Sequence, residues 1–201
     1  MGIEEKGLIE VDGSYGEGGG QILRTALAFS AIFKRPLTVH HIRAKRKNPG
    51  LGPQHLMVVN ALAQISGAKV EGNVIGSQKL AFIPGEVCPG DYHFSIGTAG
   101  SVTLLLQAFL LPLCLSQKGF RLLLEGGTHV PWSPPYRYRS VVLFPSLHLR
   151  GVSVGGSIDQ WGWYPRGGGV VQVKVQPSPS LGPISLLERG SLRRIRGLST
   201  A

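Results

Sequence analysis

"GGGQILRTALAFSAIF", residues 18–33, opens on three glycines and runs straight into an apolar-periodic segment. Ile22, Leu23, Ala26, Leu27 and Phe33 recur at helical spacing, which predicts an amphipathic helix entered through a glycine turn. Eighty residues after Gly20, Gly100 introduces "SVTLLLQAFLLPLCLSQ" (101–117), a second helix. What surrounds the two helices recurs as well. "LIEVDG" (8–13) reads as a strand before the first, and "PLTVHHIRA" (36–44) as a strand after it. "PQHLMVVNALAQISG" (53–67) is a helix ending on a capping glycine, and "AKVEGNVIG" (68–76) and "KLAFIPG" (79–85) are strands. In the second half the same order runs through "GDYHFSIG" (90–97), the helix, "FRLLLEGG" (120–127), "PPYRYRSVVLFPSLHLRG" (134–151), "VSVGGSI" (152–158) and "GGVVQVKVQ" (168–176). An internal period of this kind predicts an α+β fold of tandem βαβαββ units, at about 7–88 and 90–178, within one large domain over residues 1–190. Beyond Pro177 the chain becomes Pro/Ser-rich, and residues 191–201 are expected to form the first strand of an incomplete third unit. The rest of that unit would come from a downstream segment or a neighbouring chain.

A chain of 201 residues with 42% hydrophobic and 16% charged residues can bury a real core. Its formal charge of +10 suggests a polyanionic partner, nucleic acid before a membrane surface, because no basic amphipathic helix stands out. Cys88 and Cys114 form no CxxC pair, and "MGIEEKGLIEVDG" places acids where a secretion signal needs cations, so a reducing cytoplasm is expected. The most apolar run, Val102 to Leu115, is short for a bilayer and contains Gln107 and Pro112, so it reads as a buried helix.

The 29 glycines concentrate at "GSYGEGGGQ", "IGTAGS", "LEGGTHV" and "YPRGGG". A glycine-rich strand-to-helix turn presents backbone N–H groups and the positive end of a helix dipole, which suits phosphate. No Gly-Lys-Ser/Thr follows any of them, and the spacing of Gly16 and Gly18 continues to Gln21 rather than glycine, so the standard nucleotide loops do not fit. Tight turns and close helix packing explain the glycines equally well. Glu17 in the first turn is placed to ligate Mg²⁺ or to favour the helix N-terminus, and Arg24 to pair with phosphate or to face solvent. "IRAKRKNPGLGPQHL" (42–56) adds Arg43, Lys45, Arg46 and Lys47 within five positions, a run whose ordinary reading is a solvated loop.

Taken together, "DGSYGEGGGQILRTALAFSA", "IRAKRKNPGLGPQHL", "GDYHFSIGTAGSVTLLLQ", "GGTHVPWSPP", "WYPRGGG" and "ERGSLRRIRG" resemble the RNA 3′-terminal phosphate cyclases, in family order and from Ile9 onward. The resemblance implies a large domain of βαβαββ units, a fold shared with the enolpyruvyl transferases, and a smaller domain inserted before the last unit. It implies a ligase using ATP and Mg²⁺ (or Mn²⁺). A histidine is adenylated, AMP passes to an RNA 3′-phosphate, and the 2′-hydroxyl displaces AMP to leave a 2′,3′-cyclic phosphate. By resemblance, Glu17 is the metal-contacting carboxylate, while Arg24, Arg43, Arg46 and Gln54 belong to the catalytic centre. Gln107 contacts the nucleotide and Pro134 packs on adenine; Lys45 and Lys47 only add to the field.

The sequence also departs from the family pattern. The nucleophilic histidine belongs to the family's last repeat, and none of His40, His41, His55, His93, His129 or His148 stands in its place. His55 is read as a hydrogen bonder at a helix start, His129 replaces a usual Asp or Asn, and Lys45 a usual glycine. Two other functions compete. The first is a non-catalytic cyclase-like RNA-binding protein, over which the presence of Glu17, Arg24, Arg43, Arg46 and Gln107 favours the enzyme. An enolpyruvyl transferase shares a "GTAGS"-type turn but neither "PGLGPQHL" nor "YPRGGG".

Overall fold

The computed structural model describes residues 7–178 and 180–199. The first unit comprises β1 (Ile9–Asp12), α1 (Gly20–Phe33), β2 (Leu37–His40), α2 (Pro53–Ser66), β3 (Lys69–Glu71) and β4 (Leu80–Ile83). The second comprises β5 (Gly90–Ser95), α3 (Val102–Cys114), β6 (Phe120–Gly126), a helical stretch, β7 (Ser153–Gln160) and β8 (Gly169–Gln176). That stretch is composite: α4 (Tyr136–Tyr138) leads into a π-helical turn at Arg139–Leu143 and then α5 (Phe144–His148).

Each unit builds one four-stranded sheet, in the orders β1-β2-β4-β3 and β5-β6-β8-β7. The first two strands of each are parallel and the others antiparallel, so the two sheets share one topology. In β6 and β8 inward residues (Leu122, Leu124, Val171, Val173, Val175) are buried and alternate with outward ones, the pattern of sheets that bury one face.

The helices cover those faces. Leu23 and Leu27 of α1, Leu62 and Ile65 of α2, and Leu105, Phe109 and Leu113 of α3 meet in one core with Phe82, Phe94 and Phe120. Helix α3 is buried on nearly every side, which is why its sequence is apolar all round rather than striped. No helix among the described residues is long and apolar enough to cross a membrane. Gly67 ends α2 at φ 58°, a left-handed conformation that costs glycine nothing, and Pro53 opens α2 where a proline loses no helical bond.

Past β8 the chain lies along the second unit, with Ser178 N–H donating to Cys114 O at 3.2 Å and Gly182 N–H to Arg150 O at 3.0 Å. Residues 181–199 then carry neither helix nor strand, so the strand expected over 191–201 is not formed at 191–199. A strand exists only by pairing, and no described edge pairs with this segment. Residues 200 and 201 lie outside the described residues.

Candidate phosphate-binding site at three helix N-termini

Helices α1, α2 and α3 begin at one place. Gly20, at the start of α1, sits so close to His55 of α2 that a side chain there would overlap the imidazole. Gln54, next to His55, accepts the Ser101 N–H through Oε1 at 2.7 Å, at the N-cap of α3. The N-caps of α1 and α2 are Gly19 and Gly52, neither of which supplies a capping side chain, so the first amides of both helices remain open to a ligand. Ser101 caps α3 by accepting Leu104 N–H at 3.2 Å.

The turn before α1 is shaped by Gly16 and Gly18 at φ 55° and 58°, both left-handed. Opposite it, the basic loop coils tightly. His41 and Arg43 adopt φ 51° and 53°, and Arg46 N–H bonds Arg43 O at 3.0 Å. The coil turns its cations back toward the glycines: Lys45 Nζ donates to Gly16 O at 3.1 Å, and Arg46 Nη2 lies 3.4 Å from Glu17 Oε2. Arg43 Nη1 donates to Gly50 O at 2.7 Å. The run is therefore built into the site, and only Lys47 is a plain solvated charge.

Two open clefts of about 540 Å³ each meet at the Gly20–His55 contact. One is lined by Glu17, Gly18, Gly19, Arg24 and Arg46, the other by Arg43, Gly52, Gln54, His55 and Thr98. Arg24 is only 9% exposed, and its Nε is buried with no hydrogen-bond partner among the described residues. Burial, and then the charge of Arg139, lower its pKa. Arg139, in the π-helical turn, is 8% exposed and its Nε is likewise unpartnered. His55 Nδ1 is a third buried orphan. Burial first, then Arg43 and Arg24, push its pKa down to about 4, so the ring is neutral at pH 7. The hydrogen bond expected of His55 at the helix start is thus absent, because its ring is packed under the glycine turn instead. The pattern of cationic and N–H donors without acceptors is that of an anion site.

The remaining expected residues are placed differently. Pro134 abuts α3, its carbonyl accepting Thr103 Oγ1–H at 2.7 Å. Gln107 projects exposed from the second turn of α3 and makes no hydrogen bond among the described residues. Glu17 stands 93% exposed at its side chain, and no group of three or more His, Cys, Asp or Glu that could hold a metal occurs among the described residues. One carboxylate beside a phosphate cradle suits Mg²⁺ shared with substrate phosphates, not an ion held by protein alone. Sequence reasoning gave His55 only a capping role at a helix start and passed over Arg139. The "PQH" helix start signalled the first; nothing local signalled the second.

The structure thus combines a doubled βαβαββ fold with arginines and glycine turns gathered at converging helix N-termini. A sequence profile of the RNA 3′-terminal phosphate cyclases matches residues 15–191. RNA 3′-terminal phosphate cyclases of Staphylothermus marinus and Caldivirga maquilingensis are 50% and 51% identical to it, each over 96% of this chain and 55% of their own length. That of Nostoc punctiforme is 45% identical over 96% of this chain and 57% of its own length. The chain belongs to the RNA 3′-terminal phosphate cyclase family, and it spans a little over half the length of these curated relatives.

Proposed function

We propose that these residues form the phosphate-holding part of an ATP-dependent RNA 3′-terminal phosphate cyclase. The observation that carries this reading is the buried, unpartnered Arg24 Nε beside the open N-termini of α1 and α2. In this reading a histidine nitrogen attacks the α-phosphorus of ATP and expels pyrophosphate. An RNA 3′-phosphate oxygen then takes the adenylyl group from histidine. Finally the 2′-oxygen attacks the 3′-phosphorus, AMP leaves with the bridging oxygen, and the hydroxyl proton passes to solvent or a base.

The chain's own part is positioning and charge. Arg24, Arg43 and Arg46 hold the reacting phosphates, and the amides of α1 and α2 take the remaining oxygens. Gln54 keeps the α3 N-terminus in register with α2. Gln107 and Pro134 are assigned to the nucleotide, and Glu17 to Mg²⁺ bound through ATP. The metal would neutralise charge that builds on the phosphate oxygens. The adenylated histidine is assigned to the family's last repeat.

Incubation with α-labelled ATP and Mg²⁺, followed by denaturing electrophoresis, tests this directly. Bound but unlabelled ATP, lost in Gln107→Ala, is the expected result. A covalent label that disappears in His55→Ala would place the nucleophile within these residues. RNA binding with no ATP binding at all would favour a non-catalytic RNA-binding role.

A further inference from the structure

A group of aromatic rings beside the cleft has no part in holding phosphate. Thr128 is fully buried and is knotted to Gly162: Thr128 N–H donates to Gly162 O at 2.9 Å, and Gly162 N–H to Thr128 Oγ1 at 3.0 Å. A side chain at Gly162 would overlap the Gly126 carbonyl and the Gly169 amide, so this position lies against the sheet. With Gly162 facing in, Trp161 and Trp163 turn out together. Their rings lie nearly parallel, 5.8 Å apart at 7°. His129, beside inward-facing Thr128, packs on both at 4.7 and 5.2 Å. Burial lowers the His129 pKa, so this ring too is neutral at pH 7.

The segments that carry these rings hold two further exposed aromatic residues. Trp132 is 100% exposed and Tyr164 70% exposed. Trp132 holds φ 62°, a left-handed backbone that a bulky residue rarely adopts. Both ends of the ledge run into the phosphate site. Trp132 lies two residues before Pro134, which is bonded to α3. The loop after Tyr164 presses Gly167 against the Thr98–Ala99 turn, where an added methyl would come within 2.7 Å of Thr98 O. Thr98 lines the cleft of Arg43, Gln54 and His55. The exposed Arg137 and Arg166 flank the same segments.

We propose that His129, Trp161 and Trp163, with Trp132 and Tyr164, form a stacking platform for the bases of single-stranded RNA whose 3′-phosphate lies in the adjoining cleft. This rests on the cyclase reading for the position of the RNA end. Flat rings of every base stack on such faces without regard to sequence, and neighbouring cations track the backbone. Three packed rings, with exposed Trp132 three positions from His129 and exposed Tyr164 next to Trp163, offer more face than a single adenine covers, which favours successive RNA bases over the adenine of ATP. The Thr128–Gly162 knot holds the inner rings in place before any ligand arrives, so little ordering is needed on binding.

The test uses the 201-residue chain and a six-nucleotide adenylate RNA bearing a 3′-phosphate. Binding should quench tryptophan fluorescence. The double substitution Trp132→Ala, Tyr164→Ala, at two exposed side chains, should weaken binding at least tenfold while leaving the slope of affinity against salt unchanged. The same substitution should have no effect on an oligomer whose first four nucleotides are abasic, nor on ATP. Unchanged affinity for the intact hexamer, or an equal loss with the abasic one, would overturn the platform. An equal loss for ATP would reassign the rings to adenine and overturn the RNA assignment. If the substitution weakens 3′-hydroxyl and 3′-phosphate hexamers alike, and the parent binds both equally, the platform stands and the cyclase assignment of the cleft falls.

Discussion

Gln54 Oε1 accepts the Ser101 N–H at 2.7 Å, tying the second helix of one βαβαββ unit to the first helix of the next. Ser101 is 2% exposed, so the amide has no water to fall back on. Gln54→Ala should therefore cost about 1–2 kcal/mol of folding free energy, read as a lower urea midpoint with an unchanged slope. Gln54→Glu, which keeps an acceptor, should recover part of it. A midpoint unchanged in Gln54→Ala would show that the two units are held by apolar packing alone.

Arg24 and Arg139 are both buried with no acceptor for Nε, which opposes folding until an anion arrives. Arg139→Met, similar in length and uncharged, should stabilise the ligand-free protein by about 1–3 kcal/mol. Pyrophosphate should stabilise the parent more than the variant. Calorimetric melting with and without pyrophosphate measures both; a variant less stable than the parent would mean that Arg139 has a partner.

Acid should weaken the fold through His55. Its pKa is about 4 in the folded chain against 6.5 ordinarily, so between these values the unfolded state binds the extra proton. That stability is fully present above about pH 6.5 and is lost as pH falls toward 4. His55→Gln should flatten the profile of melting temperature against pH in this window. A phosphate anion in the cleft would favour imidazolium, so phosphate should protect more at pH 5 than at pH 8.

Arg43 is turned into the cleft by its left-handed backbone and is fixed to Gly50 O. Arg43→Ala should weaken an RNA with a 3′-phosphate about tenfold or more beyond its effect on a 3′-hydroxyl RNA. Equal losses on the two ends would make Arg43 a general electrostatic residue.

Much of this fold was legible because glycine and proline mark the element ends. Gly67 and Pro53 bound α2 where a left-handed cap and a first-turn proline belong, and the 80-residue recurrence of Gly20 at Gly100 announced the repeat. The cradle was legible only through resemblance, since local patterns left Glu17 and Arg24 open to bland readings. Other features depended on partners distant in sequence. Gln54 meets Ser101 at a separation of 47 residues, Thr128 meets Gly162 at 34, and the burial of Arg139 follows from a π-helical turn that no periodicity foretells. The strand expected over 191–201 depends on distant partners too: β-propensity needs an edge to join, and no described edge pairs with residues 191–199.

Two of the helices that start together, α1 and α3, also end together. The ends of α1 and α3 lie together at the far pole, where Lys34 and Lys118 border one surface with Glu86. The dipoles of α1 and α3 therefore point the same way, with their positive ends beside Gly19 and Ser101 and their negative ends beside Lys34 and Lys118. An anion that reaches the cleft would meet both positive ends at once, within the short range over which a helix terminus acts. Added salt should accordingly weaken pyrophosphate binding in the cleft less than it weakens pyrophosphate binding to the exposed lysines of the surface.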